Sequence, residues 1–155
     1  MDFEVLTELR NTVSNYQPLI DFAYLEFEKN FNHFIGNKLR TKAKPSDYPF
    51  FSYYPQYEEF LQKTNIEIKE NSQIAIQYAI KNDNEEDGTR QIVQIKNLLI
   101  ECLKQNHRLN GLVLNIQPKR FETDEGYFQP YFFARLLIQA EEIKWVQKDF
   151  YLNLQ

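Results

Sequence analysis

Apolar residues recur in two rhythms along this chain, one with the period of a helix and one alternating as in a strand. Leu6, Leu9 and Val13 follow Asp2 at helical spacing, which predicts a first helix ending near Asn15. Pro18 suits the first turn of a second helix, in which Ile20, Tyr24, Phe27, Phe31 and Phe34 keep a 4-3-4-3 rhythm until Gly36. Five large side chains on one seam have to be covered, either by the chain's own sheet or by a neighbour. A third helix is predicted from about Thr89 to Gln105, with Ile92, Ile95, Leu98, Leu99, Cys102 and Leu103 inward and Lys96, Glu101 and Lys104 outward.

Between and after these helices the pattern changes. Tyr48 to Pro55 is a short aromatic strand bracketed by prolines, which cannot donate ladder hydrogen bonds and so mark strand ends or an edge. Glu58–Lys63 reads as one helical turn. Ile66 and Ile68, then Ile74, Ile76, Tyr78 and Ile80, alternate with polar neighbours and predict two strands of a hairpin turning at Asn71-Ser72. Leu112, Leu114 and Ile116 predict a further strand that Pro118 interrupts, and an Asp-Glu-Gly turn follows within Phe121–Gly126. The run from Tyr131 to Val146 fits a helix through Phe133, Leu136, Leu137, Ala140 and Ile143. It fits a strand face equally through Phe132, Ala134, Leu136, Ile138 and Ala140.

Two charged segments stand apart from this pattern. Lys38, Arg40, Lys42 and Lys44 alternate with uncharged residues, so an extended chain would set all four on one side as a basic ladder. The plainer reading is a solvated loop. Asn82–Gly88 is free of apolar residues and carries Asp83, Glu85, Glu86 and Asp87; it is expected to cap the third helix through Asp87 or Thr89, its charges suiting the positive helix end.

At 155 residues the chain has the length of one domain, on a scale of roughly 100–200 residues each. No repeat or Gly/Ser linker divides it. Thirteen Phe and ten Tyr give it rings for a core and for interfaces with partners alike. The formal charge of −4 makes the whole chain a poor trap for nucleic acid. The first ten residues carry Asp2, Glu4 and Glu8 with no basic start and apolar run, so no secretory signal and synthesis in the cytoplasm are expected. No apolar stretch approaches the ~18 residues of a membrane span. Cys102 alone cannot form an intrachain disulfide, and its place on an apolar helix face predicts a buried, inert thiol.

Motifs for chemistry are missing. His33 and His107 are the two histidines, with no HExxH or CxxC spacing, so no metal and no general base is expected. The four glycines form neither GxGxxG nor GxxxxGK[ST], which removes the usual nucleotide-binding readings and leaves no cofactor expected. Adjacent carboxylates such as Asp124-Glu125 and Glu141-Glu142 point to different faces and read as solvated charges. A binding module is the rival to an assembly protein: the basic ladder with Tyr53, Tyr54 and Tyr57 would grip single-stranded nucleic acid by charge and stacking.

Three stretches carry a resemblance: Pro45 to Tyr54, then Ile74 to Asp83 with Asp87-Gly-Thr-Arg leading into the third helix, and Asp124 to Ile138. In this order they resemble the tail terminator and tail-completion proteins of long-tailed phages and prophages, over about Pro45 to Val146. The seam Ile20–Phe34 and the ladder Lys38–Lys44 lie outside the match. The resemblance implies an α+β fold in which a single mixed, largely antiparallel sheet packs against two or three helices, with residues 2–35 helical, 45–155 forming the sheet-and-helix body, and 131–146 a strand. It implies a non-enzymatic virion subunit forming a homo-oligomeric ring, expected to be a hexamer, at the neck end of the tail. Such a ring stops tube polymerisation, contacts the tail tube protein and a neck or connector protein, and passes DNA through its lumen without specific binding or any membrane. Lys38, Arg40, Lys42, Lys44, Asp83, Glu85, Glu86, Asp87, Asp124 and Glu125 are the candidate partner or lumen contacts. Another neck or baseplate component of the same fold is the alternative within this reading.

Overall fold

The computed structural model describes residues 1–38, 42–62, 67–124 and 130–145. Its elements in chain order are α1 (Phe3–Ser14), α2 (Gln17–Phe27), β1 (Asn32–Ile35), β2 (Phe50–Gln62), β3 (Glu67–Lys81), α3 (Glu85–Gln105), β4 (Asn115–Thr123) and β5 (Tyr131–Trp145). The strands form one sheet in the order β1-β2-β3-β5-β4, with β1 parallel to β2 and every other pair antiparallel. The fold is α+β, a mixed and largely antiparallel sheet with helices packed on it.

The helices meet one face of the sheet. Ile74, Ile76, Tyr78 and Ile80 alternate along β3 toward that face and join Val5, Leu9 and Val13 of α1, Leu19 of α2, and Ile95, Leu99 and Leu103 of α3 in one buried cluster. The Tyr78 hydroxyl, too deep for water, donates to the Ile92 carbonyl at 2.8 Å. Gly88 lets the first turn of α3 close on β5, since a Cβ there would lie 2.5 Å from the Phe132 ring.

The second helix is shorter than its seam predicted. It stops at Phe27, where Glu28 takes a left-handed conformation (φ 60°), and Phe31 and Phe34 then belong to the connection and to β1. Ile20, Tyr24 and Phe27 therefore do not continue into one stripe; Leu19 and Ala23 are the residues α2 buries, and Tyr24 is exposed. Parallel pairing of Asn32–Ile35 with Phe50–Tyr53 outweighs a local helical rhythm, because Phe31 then packs edge-on against Phe51 at 4.8 Å.

The hairpin predicted at Asn71-Ser72 is absent. β3 runs unbroken from Glu67 to Lys81, and Asn71 and Ser72 pair with Glu59 and Glu58 of β2. The helical turn expected over Glu58–Lys63 is strand through Gln62. Nor does proline end a strand: Pro55 and Pro118 lie inside β2 and β4, each beside a register shift. Both are absorbed at bulges, Pro118 in the edge strand β4 and Pro55 in β2 just beyond its pairing with β1. Leu112 and Leu114 precede β4 rather than forming it. The run 131–145 is strand, as the resemblance implied.

Candidate assembly surface

The register sorts the sheet into rows. Tyr54, Ala75, Leu137 and Arg120 share one row, and Pro55, Ile74, Ile138 and Pro118 share the next. At one end Lys81 pairs with Tyr131 and Phe50 with Ala79, while at the other Gln62 pairs with Ile68 and Glu67 with Trp145. Asn82 donates its backbone N–H to the Pro130 carbonyl at 2.8 Å, and Asp124 donates to the Phe133 carbonyl at 3.0 Å. Asp83–Asp87, Asp124 and the 42–48 segment therefore gather at the first end, where the Tyr48 and Tyr131 rings lie 4.5 Å apart.

Within that end two of the expected contacts, Lys38 and Asp87, take part in the chain's own packing. Lys38 is half-buried, 3.4 Å from Asp47, with its ammonium 4.7 Å from the centre of the Phe34 ring. Its carbonyl accepts from Gln77 Nε2 at 3.1 Å, so the loop folds over the sheet face opposite the helices. Lys42 and Lys44 are exposed, and Pro45–Asp47 forms a 3-10 turn closed by Asp47 accepting from the Lys44 backbone N–H at 2.7 Å. That bond, with Lys38 beside it, holds the Asp47 carboxyl below its usual range. Arg40 and Glu125 lie outside the described residues.

The acidic turn is also reassigned. α3 begins at Glu85, so Glu85, Glu86 and Asp87 form its first turn, and Asn84 is the cap, accepting from the Asp87 N–H at 2.8 Å. Neither Asp87 nor Thr89 caps the helix. Asp87 accepts instead from Asn82 Nδ2 and from Arg90 Nε, both at 2.9 Å, and these bonds lower its carboxyl pKa. Arg90 also bridges to Glu26 at 2.8 and 3.0 Å, tying α2 to α3. Asp83, Glu85 and Glu86 are exposed.

Asp124 lines an open cleft of about 360 Å³ on the face away from the helices, with Gln77, Glu122, Thr123, Phe133 and Arg135. Arg135 binds Glu122 and reaches the Tyr54 hydroxyl at 3.5 Å, which holds the Glu122 carboxyl low. The cleft's cation is thus already neutralised. No group of three or more His, Cys, Asp or Glu suited to a metal occurs among the described residues. No described helix is long and apolar enough to cross a membrane.

His33 and Cys102 are drawn into the fold, whereas His107 is exposed. His33 lies in β1, stacked on Phe51 at 5.3 Å, with Nδ1 2.8 Å from the Tyr53 hydroxyl; burial lowers its pKa to about 4. Cys102 is fully buried, and burial raises its thiol to about 11. Tyr53 and Tyr54 are 0% and 8% exposed, which removes them as stacking platforms beside the basic loop.

The far end of the sheet contrasts with this. β1 pairs only with Phe50–Tyr53, and Pro55 to Phe60 are all exposed, Tyr57 at 55% and Phe60 at 59%. The ammonium of Met1 fixes this arm to α1, bonding Glu58 at 2.6 Å and also buried Glu70. The prolines were expected to mark strand ends or an edge, and Glu58–Lys63 a helical turn; β2 instead continues through Pro55 to Gln62.

No protein-family model and no curated protein sequence matches the chain. Among solved structures, a chain from the virion of a native gene transfer agent particle is similar over 84% of this chain and 92% of its own, with TM-score 0.46 and 11% identity. A likeness this distant transfers no role.

Proposed function

We propose that the protein is a structural virion subunit that assembles head-to-tail with identical copies into a closed ring. In this reading the ring, a hexamer, caps the head-proximal end of a phage-type tail tube, stops its growth and joins it to the neck. The observation that supports it most is the bare outer half of β2, where six consecutive strand residues including Tyr57 and Phe60 have no covering element among the described residues. A lone edge of this kind invites another strand, and closing it against a copy satisfies both backbone and apolar surface.

The tail tube protein and a neck or connector protein are the partners, and DNA passes through the lumen without specific binding. A chain of formal charge −4 suits that passage. Asp83, Glu85, Glu86 and Asp124, with exposed Lys42 and Lys44, gather at one end of the sheet and present a mixed-charge surface to tube or neck. Arg40 and Glu125 extend the same two segments in sequence. Mass measurement and negative-stain imaging of the purified chain test the reading, followed by co-sedimentation with tail tubes. Six-fold rings that bind tube ends are expected; a monomer at every concentration, with no affinity for tubes, overturns it.

A further inference from the structure

Resting on the ring reading, we propose that β4 of one copy pairs with the part of β2 on the next that no other described strand covers, joining neighbouring sheets into one closed surface. The two edges differ in charge. β2 presents exposed Glu59, and β4 presents Lys119 and Arg120, the latter 72% exposed with its guanidinium 2.9 Å from Glu122 of its own strand. The polarity suits as well: β4 is antiparallel to β5, β5 to β3 and β3 to β2, so β4 of an equally oriented copy arrives antiparallel to β2.

Register then follows from the faces. Glu59 pairs with Asn71 and Arg120 with Leu137, which places both on the face away from the helices, so their side chains meet when the two residues stand opposite. This alignment sets Thr123 beside Pro55, Glu122 beside Tyr57, Pro118 beside Phe60 and Ile116 beside Gln62. The strand β4 thus fills the part of β2 that β1 leaves vacant. A shift of two rows one way drives Thr123 into the row of Tyr53, already held by Ile35 of β1. A shift of two rows the other way leaves Pro55 and Tyr57 uncovered. Shifts by one row put Glu59 and Arg120 on opposite faces.

The same alignment meets the geometry of closure. Arg120 shares its row with Tyr54, and Glu59 lies four rows further along, after Pro55, Tyr57 and Glu58. Each copy therefore adds four strands and a stagger of four residues. A closed barrel whose shear equals its strand number has strands tilted by about 36°. The stagger required by charge and by vacancy is one that a ring accommodates.

Charge reversal tests the pairing. Glu59→Lys and Arg120→Glu are each expected to remain folded by circular dichroism while losing association at least about tenfold, since like charges then face one another. Mixed in equal amounts they carry complementary edges and are expected to recover rings that alternate the two chains. A second measurement needs no change of charge. A Glu59→Cys/Arg120→Cys chain, whose two thiols stand at opposite edges of its own sheet, is expected to form disulfide-linked multimers under oxidation. Parental association by each single variant, or no cross-linked multimers from the double cysteine chain although it forms rings, overturns the edge pairing and leaves the ring reading standing. A parental chain that never assembles overturns both.

Discussion

At one end of the sheet Phe50, Phe51, Ser52 and Tyr53 are wholly enclosed, whereas the next stretch of the same strand, Pro55 to Phe60, is exposed throughout. Helices cover one face of the enclosed rows, and the opposite face carries Tyr48, Phe50, Ala79 and Phe133 as a second small cluster. Among the described residues the arm is tied by Met1 at Glu58 and otherwise stays exposed. Continuity of a strand therefore says little about where its stability comes from. The body is held by burial, at about 25 cal/mol per Å² of apolar surface, while the arm depends on its neighbours in the sheet.

Substitutions at the two ends should separate them. Leu99→Ala, which empties a fully buried site under the sheet, is expected to cost about 2–5 kcal/mol in denaturant unfolding. A loss below about 1 kcal/mol would show that α3 is not seated as described. The next largest effect is pH dependence from His33. A base whose pKa falls from 6.5 to about 4 on folding binds fewer protons folded than unfolded between those values. Stability is then complete above about pH 6.5 and declines by about 1–3 kcal/mol as pH falls toward 4. His33→Phe should flatten that slope, read from unfolding midpoints at pH 7 and 5.

Gly88→Ala sharpens the same side of the comparison. Its methyl would press on Phe132, and an expected loss of about 1–2 kcal/mol reports how firmly α3 and β5 are held together. In the arm, Phe60→Ala is expected to alter the stability of the isolated chain by less than about 0.5 kcal/mol despite removing a large ring. A larger loss, measured at concentrations too low for association, would mean that Phe60 is packed within its own chain.

The same contrast explains what patterning alone revealed. The first and third helices were legible because Leu6, Leu9 and Val13, and Ile92, Ile95 and Leu99, face one core at one period. β1 was not, since a four-residue strand held by parallel pairing leaves no local mark, and Phe31 and Phe34 fall by coincidence on a helical spacing. β3 was split in two because Glu70 and Ser72 are polar residues on the buried face, where alternation predicts apolar ones; Ser72 donates to Glu70. Two of the candidate contacts have partners that sequence could not show. Asp87 braces α3 and Lys38 anchors a loop, facts set by partners far away in the chain. Glu59 and Arg120 passed unnoticed because their interest lies in being at the two edges of one sheet, which only topology reveals.

Cys102 lies 4.0 Å from the Thr12 carbonyl, against the N-terminal helix, with no side-chain surface open to solvent. Oxidants, heavy-metal reagents and exchange partners reach it only when α1 lifts away. Its rate of labelling is therefore a built-in clock for that opening, and a chain stored in air should keep its mass unchanged for as long as the helix stays down.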